Sequence, residues 1–204
     1  MRLKLCILPI LGWFFLNGTA PGFSQVNAAA RVSHLPLTIG AGISNYDSDW
    51  GKSRIDGSGL WIDYYPERMP RILSGLGAEV EAHDLSWGRG SDLPSNFRQD
   101  TAGGGAIYSW HHFRNARPYA KGLIEFGSFD WGPCSFCRNY VHDTRTVYAM
   151  GAGLDYHVFG HIWARGDYEF QNWQNLPALG TGDPTPNGFT FGAMYDFRPA
   201  HSER

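Results

Sequence analysis

The chain has 204 residues, a formal net charge of −2 and a mean hydropathy of −0.32. That balance offers no basic footprint for a nucleic acid. Past the N-terminus nothing approaches the roughly 18 continuous apolar residues of a membrane helix. Aromatic residues at 15% together with 26 glycines suit a β-barrel with aromatic girdles better than an average globular enzyme.

The first thirty residues read as an address. Met1-Arg2-Leu3-Lys4 is a charged start, and an apolar run follows over residues 5–16. That run has the length of a signal-peptide core and is too short to cross a bilayer as a helix. Gly18, Pro21 and Gly22 end it, which argues against a buried N-terminal helix. Asn27-Ala28-Ala29-Ala30 supplies the small residues for cleavage after Ala30. Cys6 stands early in the apolar run, away from where a lipoprotein acylation site belongs. The expected organisation is a signal peptide at 1–30 and one domain at 31–204, enough chain for a sizeable core.

Eight segments then alternate with period two, the mark of strands with two unlike faces. They span about 37–46, 57–65, 76–85, 101–113, 119–129, 144–156, 161–172 and 188–197. One face is apolar and aromatic, with Ile39, Leu60, Val80, Ile124, Met150 and Phe191 among its members. The other holds Gly40, Gly42, Gly59, Gly77, Gly103, Gly105, Gly151, Gly153 and Gly192 beside the charges. About ten residues is what a tilted membrane strand needs. Links alternate in length: 47–56, 86–100, 130–143 and 173–187 are long and polar, while 66–71, 114–118 and 157–160 are short. Long loops on one rim and tight turns on the other match the outer-membrane pattern, with the long loops outside the cell.

Alternation alone does not say which face meets lipid. A soluble lipocalin-like barrel has the same rhythm turned inside out. Glycine decides the expectation: a solvent face would favour lysine, glutamate or threonine, whereas a narrow lumen must leave room for a few long charged side chains. Lys121, Arg145 and Arg165 share the glycine face with Glu79, Glu81, Glu125, Asp155, Asp167 and Glu169. In a confined interior such groups must pair, or each costs several kcal/mol. The expected result is a plug of salt bridges, since an eight-stranded barrel is just wide enough to be filled by side chains.

The last strand, Thr190-Phe191-Gly192-Ala193-Met194-Tyr195-Asp196-Phe197, carries a polar residue, a glycine and two alternate aromatics. With Arg117-Pro118-Tyr119-Ala120-Lys121-Gly122 and Ala164-Arg165-Gly166-Asp167-Tyr168-Glu169-Phe170-Gln171, it resembles the OmpA-like outer-membrane β-barrel superfamily. The resemblance covers about 35–197 and implies an all-β, eight-stranded antiparallel up-and-down transmembrane barrel. It implies residence in the bacterial outer membrane and contact with its lipid. It also implies a terminal assembly signal at Thr190, Gly192, Tyr195 and Phe197, read by the barrel assembly machinery. Family members often stop at the terminal aromatic, whereas seven residues follow Phe197 here.

Other chemistry is sparse. Cys134 and Cys137 form C-x-x-C without two further ligands for zinc and without a βαβ context for redox work. In an oxidising compartment a local disulfide is expected. Some eight-stranded outer-membrane barrels act on lipid A. Ser109 and His111, however, are assigned to the inward face with Glu125, away from lipid, and His112 faces outward at the rim. No catalytic, cofactor or metal residues are therefore assigned. The main expectation is a non-enzymatic scaffold with recognition in the external loops, where Trp50, Trp87, Phe97, Trp131 and Trp173 fall. An unknown extracellular partner would bind there. A narrow channel, a lipid-modifying enzyme and a soluble ligand-binding barrel stay open as alternatives.

Overall fold

The computed structural model describes residues 35–49, 53–88, 97–113, 115–130, 142–174 and 183–198. The expected cleavage point after Ala30, the Cys134–Cys137 pair, and Trp50 and Trp131 lie outside these residues. Eight strands are present: β1 Leu37–Asp47, β2 Arg54–Tyr64, β3 Leu76–Trp87, β4 Arg98–Ser109, β5 Ala116–Asp130, β6 His142–Phe159, β7 Ile162–Trp173 and β8 Asn187–Asp196. Each pairs antiparallel with the next, and β8 returns to β1 to close the barrel.

Closure satisfies every edge, which hydrocarbon demands because no water is there to bond a free N–H or C=O. At the seam between β1 and β8, Gly42 stands opposite Gly192. A β-carbon on Gly42 would lie 2.6 Å from the Phe191 carbonyl oxygen and 3.0 Å from Gly192 Cα, so only glycine allows that approach. At the short-turn rim, Gly160 takes φ +54° between β6 and β7, a left-handed conformation glycine adopts without steric cost.

The period-two pattern sorts the two faces. Outward positions carry large apolar side chains: Phe126 is 70% exposed, Phe191 66% and Met150 64%. Inward positions hold glycines, aromatics and charges, with Glu125 and Trp173 both 0% exposed. A lipocalin-like soluble barrel has the reverse arrangement. The apolar surface here faces out all round the belt.

Several strand boundaries differ from expectation, those of β4, β5 and β6 among them. β4 ends at Ser109, so His111 and His112 stand exposed in a turn instead of extending the strand to 113. The chain has to reverse there to feed β5, and the last β4–β5 pair is Ser109 with Tyr119. Trp110 continues the outward series of Ala106 and Tyr108 up to that turn. β5 and β6 run longer than expected and share fifteen paired positions, from Ala116–Tyr156 to Asp130–His142.

Candidate functional site in the barrel interior

The lumen is filled in three layers. Under the long loops lies an apolar cap of Tyr46, Ile55, Leu85, Phe97, Phe129, Val147 and Trp173, all 0–1% exposed. Phe129 stacks on Trp173 with ring centroids 4.0 Å apart. Polar groups link this cap to the layer below. Trp173 Nε1 donates to Gln171 Oε1 at 3.0 Å, and Gln171 Nε2 donates to Glu169 Oε1 at 2.9 Å.

The central layer is ionic. Lys121 Nζ lies 2.9 Å from Asp167 Oδ2, 2.9 Å from Glu169 Oε2 and 3.4 Å from Glu79 Oε1, and it also pairs with Glu81. Oxygens of Glu81, Asp167 and Glu169 come within 4.8 Å of one another, the spacing of a metal cage. The lysine ammonium occupies the centre of that cage. Arg165 takes the other carboxylates: Asp63 at 2.6 Å, Asp155 at 2.8 Å and Glu79 at 2.9 Å. Glu79 thus bridges the two cations. Thr38 donates to Asp63 and Tyr119 to Asp167, at 2.9 and 2.7 Å. Arg165 also lies over the Tyr119 ring, 4.5 Å from its centroid.

Toward the short turns the lumen closes on Trp61, Trp163 and Met194. Arg117 covers the Trp163 ring at 3.5 Å and pairs with Asp196 at 2.8 Å. Arg198, just past β8, folds back to Asp196 at 2.8 Å and sits over Tyr65. Burial pushes the Tyr65 hydroxyl well above its ordinary value. Burial works against the Arg198 charge, yet the hydrogen bond and charge of Asp196 overcome it and hold the guanidinium cationic.

Eight of the nine charges expected inside meet here: Glu79, Glu81, Lys121, Glu125, Asp155, Arg165, Asp167 and Glu169 are all buried. Arg145 does not join them. It shares their face but stands at the loop rim, one-third exposed, and pairs with Asp143 at 2.9 Å. Asp63, His83, Arg117 and Asp196 belong to the interior and were absent from the expected network. Asp63, His83 and Asp196 already fell on the glycine face of the alternation. Arg198 follows the last strand, where no alternation places it. Ser109, His111 and Glu125 form no set: Glu125 pairs with Gly103, six positions from Ser109, or roughly 20 Å along the strand. Thr190 and Gly192 point inward and Tyr195 outward, while Phe197 N–H donates to Leu37 O at 3.0 Å, so the terminal aromatic still joins the sheet.

A closed eight-stranded barrel with an apolar exterior and an ionic interior defines a membrane barrel. The family model for the outer membrane protein beta-barrel domain matches residues 19–197, and the chain belongs to that family. It is a protein of the bacterial outer membrane. Among solved structures it is similar to Neisserial surface protein A, with 15% identity, TM-score 0.57, and coverage of 78% of this chain and 95% of that one. It is similar to the N-terminal barrel domain of OprF from Pseudomonas aeruginosa, with 12% identity, TM-score 0.53, and coverage of 79% and 98%. OprG from Pseudomonas aeruginosa gives 14% identity, TM-score 0.51, and coverage of 80% and 97%. At these identities the likeness is one of fold. No curated protein matches the sequence.

Proposed function

We propose that this protein is a non-enzymatic scaffold of the outer membrane whose recognition surface is its set of long loops. The filled lumen carries this reading. An apolar cap, an ionic layer and an aromatic–arginine layer occupy it from rim to rim, so the barrel serves as a rigid support and the loops hold the variable chemistry. Planar-bilayer recording on refolded protein tests the closed lumen: no discrete steps are expected, and regular steps would make it a channel. Exchange of the long loops tests recognition: binding to whole cells or matrix components falls if the loops carry it, and unchanged binding refutes it.

Three further elements belong to the same reading. The leader leaves after Ala30, which N-terminal sequencing of the membrane form checks. Cys134 and Cys137 close a small disulfide in the third long loop. The barrel assembly machinery reads the strand ending in Phe197, supported by the Phe197 bond to Leu37. An intact lipid A profile on expression is the expected outcome for a non-enzymatic scaffold.

A further inference from the structure

Seven buried carboxylates crowd the ionic layer: Asp63, Glu79, Glu81, Glu125, Asp155, Asp167 and Glu169. Six of them are engaged by cations. Lys121 holds Glu79, Glu81, Asp167 and Glu169, and Arg165 holds Asp63, Glu79 and Asp155. His83 adds a second partner to Glu81, at 2.6 Å. Glu125 is the exception. It is 0% exposed, and among the described residues neither of its carboxylate oxygens has a hydrogen-bond partner.

Its place in the register explains the isolation. Glu125 pairs with Gly103 of β4 on one side and Val147 of β6 on the other, and Val147 pairs with Trp173. Val147 and Trp173 belong to the apolar cap. The Trp173 ring also lies over Gly127, the next inward residue of β5 toward the loops. Glu125 thus stands at the seam where the cap meets the ionic layer. The titratable groups facing it are Glu81 and His83 of β3, Lys121 of β5 itself, Asp167 and Glu169 of β7 and, through its bond to Glu169, Tyr46 of β1. β4 and β6 present Thr101, Gly103 and Val147 there, and none of these carries a charge. The charges acting on Glu125 most strongly are those of Glu169 and Glu81, both negative. Lys121 is already surrounded by four carboxylates. An ionised carboxylate with neither donor nor free cation, in a low-dielectric interior, is far costlier than a neutral acid. Where like charges crowd, the acid without a partner keeps its proton.

We infer that Glu125 is a neutral carboxylic acid in the folded barrel at neutral pH, and that its proton is what lets the apolar cap rest on the acid-rich layer. The proton makes the seam sensitive to base. Its loss sets a bare negative charge between Val147 and the acids Glu81 and Glu169, and the barrel loosens under its cap. The sign of the pH effect follows from linkage. In the unfolded chain a glutamate ionises at about 4.3. Above that pH the folded chain holds one proton at Glu125 that the unfolded chain does not. Stability therefore falls as pH rises, until the buried acid itself ionises. A glutamine at 125 has the shape of the neutral acid and no proton to lose.

The test uses the full chain refolded in lipid vesicles, with heat-modifiable gel mobility reporting folding. Infrared spectra at neutral pH, parent minus Glu125→Gln, are expected to show the carbonyl stretch of one protonated carboxyl, which an ionised carboxylate lacks. Urea unfolding is then followed from mildly acidic to neutral pH. Relative to Glu125→Gln, the unfolding constant of the parent is expected to rise tenfold per pH unit. At neutral pH Glu125→Gln is expected to be the more stable protein, by at least tenfold in that constant. A difference spectrum without the band overturns the inference, as do parallel pH profiles or a glutamine variant less stable than the parent. Where Glu125→Gln does not fold, Glu125→Met takes its place as a second neutral side chain. Failure of both to fold means that the barrel needs the charge, and overturns the inference.

Discussion

The cap under the long loops and the ionic layer below it are equally buried, yet they hold together by different means. In the cap, each of Phe97, Phe129 and Trp173 adds dispersion and transfer free energy with several neighbours, so losing one leaves the rest in place. In the ionic layer, Lys121 and Arg165 between them compensate six carboxylates, and removing either exposes several charges to a low-dielectric interior at once. The cap degrades by degrees and the ionic layer by whole units. A narrow barrel thus concentrates its vulnerability in two cations.

Arg165→Met is the sharpest way to break the contrast. It strips Asp63 and Asp155 of the cation that pairs with both, and a loss of about 3–5 kcal/mol is expected in urea unfolding from lipid vesicles. A loss below about 1 kcal/mol would mean the two layers behave alike. Leu85→Ala in the cap should cost about 3 kcal/mol by the same assay, and Leu85→Met less than about 1.5 kcal/mol. Phe191→Arg moves a charge onto the lipid face and should cost about 2–4 kcal/mol if that position lies near the bilayer midplane, less toward an interface. The smallest effect is expected from glycine on the two faces. Gly166 points outward with only the Phe191 ring near, at 3.4 Å, and Gly166→Ala should stay within about 1 kcal/mol. Gly103→Ala meets the β5 backbone inside and should cost about 1–3 kcal/mol. Equal effects for the two would remove the inside–outside distinction.

All eight strands were legible because one physical rule governs each position: apolar toward lipid, glycine or charge toward a crowded lumen. The rule places Glu79, Lys121 and Arg165 on the inner face without further information. It does not say how far along the axis a residue sits. Arg145 and Arg165 look equivalent in alternation, yet one lies at the rim beside Asp143 and the other at the centre among three carboxylates. That depth depends on strand stagger, which no local pattern encodes. The end of β4 was hidden for a related reason. Trp110 continues the outward series and Phe113 adds another large apolar side chain, because an interfacial turn and a lipid-facing strand both favour such residues. Arg198 was invisible because its role arises from the closed rim, where Asp196 of β8 and Tyr65, just past β2, both meet it.

The seam between β1 and β8 joins the two ends of the domain. A chain that stops short of β8 has two open edges, each a row of unpaired N–H and C=O groups that hydrocarbon will not solvate. Membrane residence is therefore a test of completeness. A polypeptide truncated anywhere before its last ten-residue strand has no stable place in the bilayer, and the topology itself discards it.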